Sequence, residues 1–181
     1  MGVFGFDVRF TSTDEAGGPF LERMSVAFER AGFDMASFGD KVFPKLVPVF
    51  EAEAREQFDA EGHGPRAGRF EPLSEMYRQW KEDRYPGKPI LQRTGAMFEG
   101  LTESSSPFAT RRYDSSSFDF GTSGLDYASY HQTGTSRMPA RPPFDFTDQL
   151  QTDLVRAGRD GIEELLDEAG VRQYAGTGGA D

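Results

Sequence analysis

The chain has 181 residues and no cysteine, with 20 Lys and Arg against 30 Asp and Glu, for a formal net charge of −10. That length predicts one domain of ordinary size, and the lack of thiols excludes a disulfide scaffold, cysteine-ligated metal and a thiol nucleophile. So acidic a surface disfavours gripping free DNA or an anionic membrane. Neither a bilayer-spanning apolar run nor the basic-then-apolar plan of a signal peptide is read in the chain, and a reduced cytoplasm is the easier fit.

The apolar content is 36% of residues, concentrated in 17 Phe and interrupted by 21 Gly and 11 Pro. A fold with long irregular segments is expected. Acidity is uneven: residues 1–60 hold 6 basic and 11 acidic side chains, 61–120 hold 9 and 9, and 121–181 hold 5 and 10. Between Arg66 and Arg93 seven basic residues face four acids, which reads as a solvated mixed-charge face.

In chain order, Phe4, Phe6, Val8 and Phe10 alternate and predict a half-buried strand. Pro19 opens a helix carrying Leu21, Met24, Phe28 and Ala31, closed by Gly32. Asp40 can cap a longer helix with a stripe of Phe43, Val47, Phe50, Ala54 and Phe58, in which Pro48 should cause a kink or a later start. Residues 61–69 form a loop by their glycines and proline. Ser74 caps a short helix to Arg84, ended by Pro86 to Pro89, and Thr94 caps another carrying Met97, Phe98 and Leu101. Residues 108–113 and 118–120 pair as a hairpin turned by Asp114 and serines. Asp126 to Gln132 makes one or two helical turns, and Met138 to Pro143 is extended. A last helix places Phe146, Leu150, Leu154, Ala157, Gly161 and Leu165 on one face. The fold class is α+β: a small antiparallel sheet packed with helices, long irregular loops and a long C-terminal helix. Residues 1–174 form the single domain, and 175–181 form a flexible Gly-rich tail.

Chemistry is sparse. His63 sits in a Gly-rich loop. His131 lies among aromatics with serine nearby, but no nucleophile-elbow sequence accompanies it, and Asp126 or Asp145 could orient it only by assumption. Glycine pairs lack a phosphate-loop context, and the acidic pairs Glu163-Glu164 and Asp167-Glu168 read as a solvated helix face, not a calcium loop. Tyr77, Trp80 and Tyr85 beside Lys81 and Arg84 could stack on bases, though core and rim residues of an amphipathic helix show the same spacing. No catalytic, cofactor-binding or metal-binding residue is assigned.

Four segments carry a resemblance. Residues 91–101, with Leu91, Thr94 and Gly95, resemble the "L-x-x-T-G-x-L" element of the phage virion morphogenesis proteins, the tail-completion proteins of Mu-like phages and their relatives in the necks of other tailed phages. Residues 68–74 are similar to "G-x-W-x-P-L-S", with Phe70 in place of Trp. Residues 127–134, with Tyr127, His131, Gln132 and Gly134, resemble "Y-A-x-x-H-Q-x-G", with Thr133 where an aromatic is common. Pro139, Ala140, Arg141 and Pro142, followed by Phe144 after an inserted Pro143, resemble "P-A-R-P-F". The elements run in order across 68–144.

The resemblance implies a structural virion protein, not an enzyme and without cofactor. It would be a tail-completion factor, tail terminator or neck adaptor at the head–tail junction, assembled in the host cytoplasm. It implies a self-associating ring, hexameric to match the tail, with neighbouring neck, connector and tail-tube proteins as partners, DNA only as transiting cargo, and no membrane. Six copies would carry about −60 formally, six times −10, a field that repels a passing polyanion. Two readings of Pro139 to Pro143 stand open: an arm whose Arg141 pairs with a carboxylate of an adjacent subunit, or a rigid intrachain crossover. The other functional classes are a small hydrolase using His131 and a host binding module.

Overall fold

A long apolar stripe needs a helix to display it, and the fold is built on that helix. The computed structural model describes residues 4–7, 35–62, 70–114 and 117–168, with 4–7 and 35–38 described as backbone. In chain order these form β1 (Phe4–Asp7), α1 (Met35–Asp59), α2 (Glu75–Arg84), α3 (Ala96–Thr102), β2 (Ala109–Tyr113), β3 (Phe118–Thr122), α4 (Tyr127–Thr133) and α5 (Asp148–Glu168). The architecture is α+β, as the sequence predicts. The helix expected over 19–31, His63, Gly68 and the tail at 175–181 lie outside the described residues.

α1 starts ahead of Asp40, which is therefore not the cap expected, and it includes both Pro44 and Pro48, so Pro48 does not delay its start. Asp40, Pro44 and Pro48 recur every fourth residue and are all exposed. The amides that the prolines lack would have served the carbonyls of Asp40 and Pro44, and on that wet face water can take their place. The opposite face buries Val42, Phe43, Leu46, Phe50, Ala54 and Phe58, while Val47 stands only at the edge of the stripe.

The sheet is three-stranded and antiparallel, in the order β1-β3-β2. Phe118 and Phe120, two residues apart on β3, point to one face and are fully buried against α1. Phe118 stacks on Phe43 at 5.7 Å between ring centroids, and Phe120 on Phe50 at 4.9 Å. Phe144 joins them at 5.6 Å from Phe50 and 5.9 Å from Phe120. The Phe-rich composition thus makes an aromatic core, each ring contributing roughly 1.5–3 kcal/mol by burial. Asp114 closes the β2–β3 turn by accepting from Ser117 N at 2.8 Å and Ser117 Oγ at 2.9 Å.

α5 lies along α1. Thr147 caps it, its Oγ1 accepting from Leu150 N at 3.0 Å and donating to the buried Glu53 at 3.2 Å, so Phe146 precedes the helix. Leu150, Leu154 and Leu165 are buried as expected. At Gly161 the two helices approach so closely that a Cβ would stand 3.0 Å from Val42 Cα. Two of the acids read as a solvated face have partners: Glu164 meets Lys45 at 2.5 Å and Lys41 at 3.7 Å, and Glu168 meets Lys41 at 2.6 Å. Hydrogen bonding to these carboxylates raises the Lys41 pKa and that to Lys45 lowers the Glu164 pKa. The groups are exposed, so they set the helix alignment more than the stability.

One polar contact crosses the core. Arg111 on β2 pairs in register with Phe120 on β3, and its guanidinium lies 3.9 Å from the centre of that ring. Its Nη2 meets Glu51 of α1 at 3.1 Å, with only 9% of the arginine side chain exposed. The same fork donates to the carbonyls of Gly100, Leu101, Thr110 and Gly121 at 2.9–3.2 Å. Arg111→Met should lower the unfolding free energy by about 3 kcal/mol or more, because Glu51 and four carbonyls lose their donor in a place water barely reaches. Arg156→Met, which breaks an exposed pair with Asp153, should cost under about 0.5 kcal/mol. Urea denaturation of both variants checks the contrast.

Candidate functional site

The four resemblance segments are spread over residues 68–144, with only residues 135–138 between the last two, and each contributes to one groove of about 690 Å³. Pro72, Leu73 and Ser74 enter it from the segment before α2, followed by Tyr77 and Lys81 of α2 itself. Leu91, Arg93 and Thr94 form a second wall, Tyr127 and His131 of α4 a third. Arg137, Met138, Pro139 and Arg141 complete it. Of the assigned residues, Gly95, Gln132, Gly134 and Pro142 do not line the groove, and each supports a segment that does.

The second wall is set by backbone geometry. Gly95 has φ of 86° and stands at the start of α3, where an extended segment becomes a helix. Thr94, expected to be the cap, precedes it, and its Oγ1 only reaches Ala96 N at 3.4 Å. Leu91 holds φ of 66°, an unfavourable left-handed conformation for a branched side chain, kept by packing against the core. Glu61, at the end of α1, fixes this loop by accepting from Ile90 N at 2.6 Å.

Lys81 is a groove residue that the sequence reading placed on a surface. It is only 6% exposed, and its Nζ donates to the carbonyls of Lys88 and Pro89, tying down the turn after α2. Burial pulls its pKa down, against the opposing pull of Glu61 and Glu82. The aromatics of α2 engage one another: Tyr77 stacks on Trp80 at 5.3 Å, and Arg84 lies over Trp80 at 5.1 Å. This is the rim arrangement, with Trp80 already in contact with Tyr77 and Arg84.

The proline arm is an intrachain crossover, which corrects the subunit-contact reading of Arg141. Arg141 is 4% exposed. Its Nε donates to Glu71 O and its Nη2 to Pro72 O at 2.8 Å, while its N–H donates to His131 O at 2.8 Å. Gln132 donates to Phe144 O at 2.9 Å. The buried Gln57 of α1 donates to Pro142 O at 3.2 Å and accepts from Asp145 N at 3.1 Å. Prolines supply no donors, so this arm is held through its carbonyls by side chains from α1 and α4.

Gly134 makes the turn that sends the arm back. Its φ of 74° and ψ of 179° suit glycine alone, and a Cβ would stand 2.8 Å from Ala140 N. Gly134→Ala should cost about 2 kcal/mol or more, readable as a lowered urea midpoint.

His131 is half-buried, with its ring edge-on to Tyr127 at 6.0 Å. Its Nδ1 is buried without a hydrogen-bond partner among the described residues. The neighbours named for a hydrolase are engaged elsewhere: Ser129 Oγ donates to Asp126 O at 2.9 Å, and Asp145 Oδ1 accepts from Phe146 N at 2.9 Å. Burial, and then the Arg141 cation, hold the His131 pKa below the usual 6.5. The unfolded chain therefore binds the proton more readily than the fold does. Its contribution is complete above about pH 6.5 and is lost as pH falls through that value toward the lower folded pKa. His131→Gln should flatten the decline in unfolding free energy between about pH 7 and pH 5; urea titrations across that range measure it.

Among the described residues no group of three or more His, Asp or Glu could hold a metal ion, and no helix is long and apolar enough to cross a membrane. No family model, curated protein or solved structure matches the chain.

Proposed function

We infer that the chain is a structural virion protein of a tailed phage, a tail-completion, tail-terminator or neck component at the head–tail junction. In this reading copies close into a sixfold ring that matches the tail, and DNA passes through it. A closed ring needs a heterologous interface, one patch meeting a different patch on the neighbour. Its neighbours are connector and tail-tube proteins, and catalysis has no part in it.

One observation carries the reading. Segments around residues 72, 91, 127 and 139 were singled out by resemblance alone, and all four meet on one groove. The last two are joined by a short turn, but the first and second come to them from more than 20 residues away, and such convergence is not owed to sequence proximity. Two of the elements also hold each other: Arg141 of the fourth binds the backbone beside Leu73 of the first. With Arg141 used inside the chain, subunit contacts fall to exposed residues instead. The net charge of −10 suits a conduit whose acidic groups face the channel and discourage DNA from sticking.

Phage carrying an amber mutation in this gene should yield lysates of filled heads and separate tails. Electron microscopy of purified virions should place the wild-type chain as a ring at the junction. Density for the chain anywhere else in the particle would overturn the reading.

A further inference from the structure

The groove itself has a chemistry that the ring reading does not use. Four cations line it, Lys81, Arg93, Arg137 and Arg141, and none of its described lining residues is acidic. That is unusual for a chain with ten more acids than bases. Lys81 and Arg141 are buried and spend their donors on carbonyls of the walls. Arg93 and Arg137 differ: both are exposed, and neither guanidinium has a partner among the described residues. Two planar forks thus face one cavity with their donors uncommitted.

The surroundings are apolar and aromatic. Leu73, Leu91, Met138 and Pro139 supply apolar wall. Six large hydrophobic residues are exposed among the described residues, and four of them stand on the two flanking helices: Met76 at 84%, Tyr77 at 39%, Tyr127 at 38% and Tyr130 at 54%. Tyr, Met and Arg together mark protein-binding surfaces.

We propose that the groove is a docking site for an acidic peptide segment of a partner protein, with carboxylates on Arg93 and Arg137 and adjacent apolar side chains against Leu73, Leu91 and Met138. Its volume of about 690 Å³ accommodates a few side chains. Charge favours a short peptide over nucleic acid. A peptide brings two or three carboxylates to the local cations, whereas a long polyanion must also meet the acidic remainder of the chain. The floor is pre-set by the Arg141 and Lys81 bonds, so little ordering accompanies binding. This docking would operate in any assembly, virion or not.

Trp80 is the only tryptophan and stacks on the groove residue Tyr77, so its fluorescence reports occupancy. The probe is the peptide Ac-EFDLE-NH2, titrated into the full chain, with Ac-QFNLQ-NH2, inorganic phosphate and a ten-nucleotide thymidine oligomer as comparisons. The expected result is saturable binding of the acidic peptide, at least about tenfold weaker for the amide version. Arg93→Ala and Arg137→Ala should each weaken it about tenfold. Arg78→Ala removes the same charge from the outer side of α2, where Arg78 pairs with Glu75 at 2.7 Å, and should change it less than about twofold. Absence of saturable binding, equal binding of the amide peptide, equal loss in the Arg78 variant, or tighter binding of the oligonucleotide would each overturn the proposal. Circular dichroism of the two arginine variants should match wild type, since neither side chain holds the fold together.

Discussion

The fold depends on one buried cation. Arg111 joins a strand, a neighbouring strand, the long helix and the short α3 through a single guanidinium. The carbonyls of Gly100 and Leu101 belong to the last turn of α3 and have no partner within the helix. Arg55 takes the next one, Thr102 O, at 3.2 Å. Two arginines therefore satisfy three successive carbonyls at the end of a seven-residue helix that is too short to hold itself. The other end of α3 is where Gly95 turns the chain into the groove wall. Core and groove are thus mechanically one object, and lysine could not replace arginine at the centre, because a single ammonium lacks the spread of donors.

The groove is built from fixed floor and open rim. Its floor comes from buried polar groups whose bonds run to backbone carbonyls, a sturdy choice because carbonyls do not change with the side chain sequence. Its rim carries aromatic, methionine and arginine side chains that have no such obligations. A surface made this way loses little freedom when something lands on it, and its selectivity resides in the few rim groups that can be exchanged without unfolding the protein.

Local features were legible in the sequence, and long-range polar contacts were not. Apolar periodicity marks α1 and α5 and most of their buried Phe and Leu positions, capping and breaking residues mark α2 and α3, and the turn at Asp114 marks the hairpin expected at 108–120. Gly95 and Gly134 enter through the resemblance, and the fold shows why glycine suits both places, since each holds a positive φ. Arg111 and Glu51 stand 60 residues apart, and nothing in either neighbourhood distinguishes them from surface charges. Lys81 was read as part of a charged helix face for the same reason, and its burial follows from the turn at Lys88 and Pro89 folding back over it. Arg141 stands open in the sequence between a reaching cation and part of a crossover, because stiff flanking prolines serve either, and only the fold shows its donors turned to carbonyls of its own chain. The start of α1 is missed because Asp40 is a favourable capping residue yet lies inside the helix, and Pro48 costs less than expected because it sits on the exposed face.

The spacing of Pro44 and Pro48 has a mechanical consequence. Two ladder bonds are absent on one face of α1, at the carbonyls of Asp40 and Pro44. The same stretch carries Lys41 and Lys45, which meet Glu168 and Glu164 of α5, and Phe43, which stacks on Phe118. Where the helix gives up part of its own ladder, it is held from outside instead, by α5 along one flank and by the aromatic core along the other.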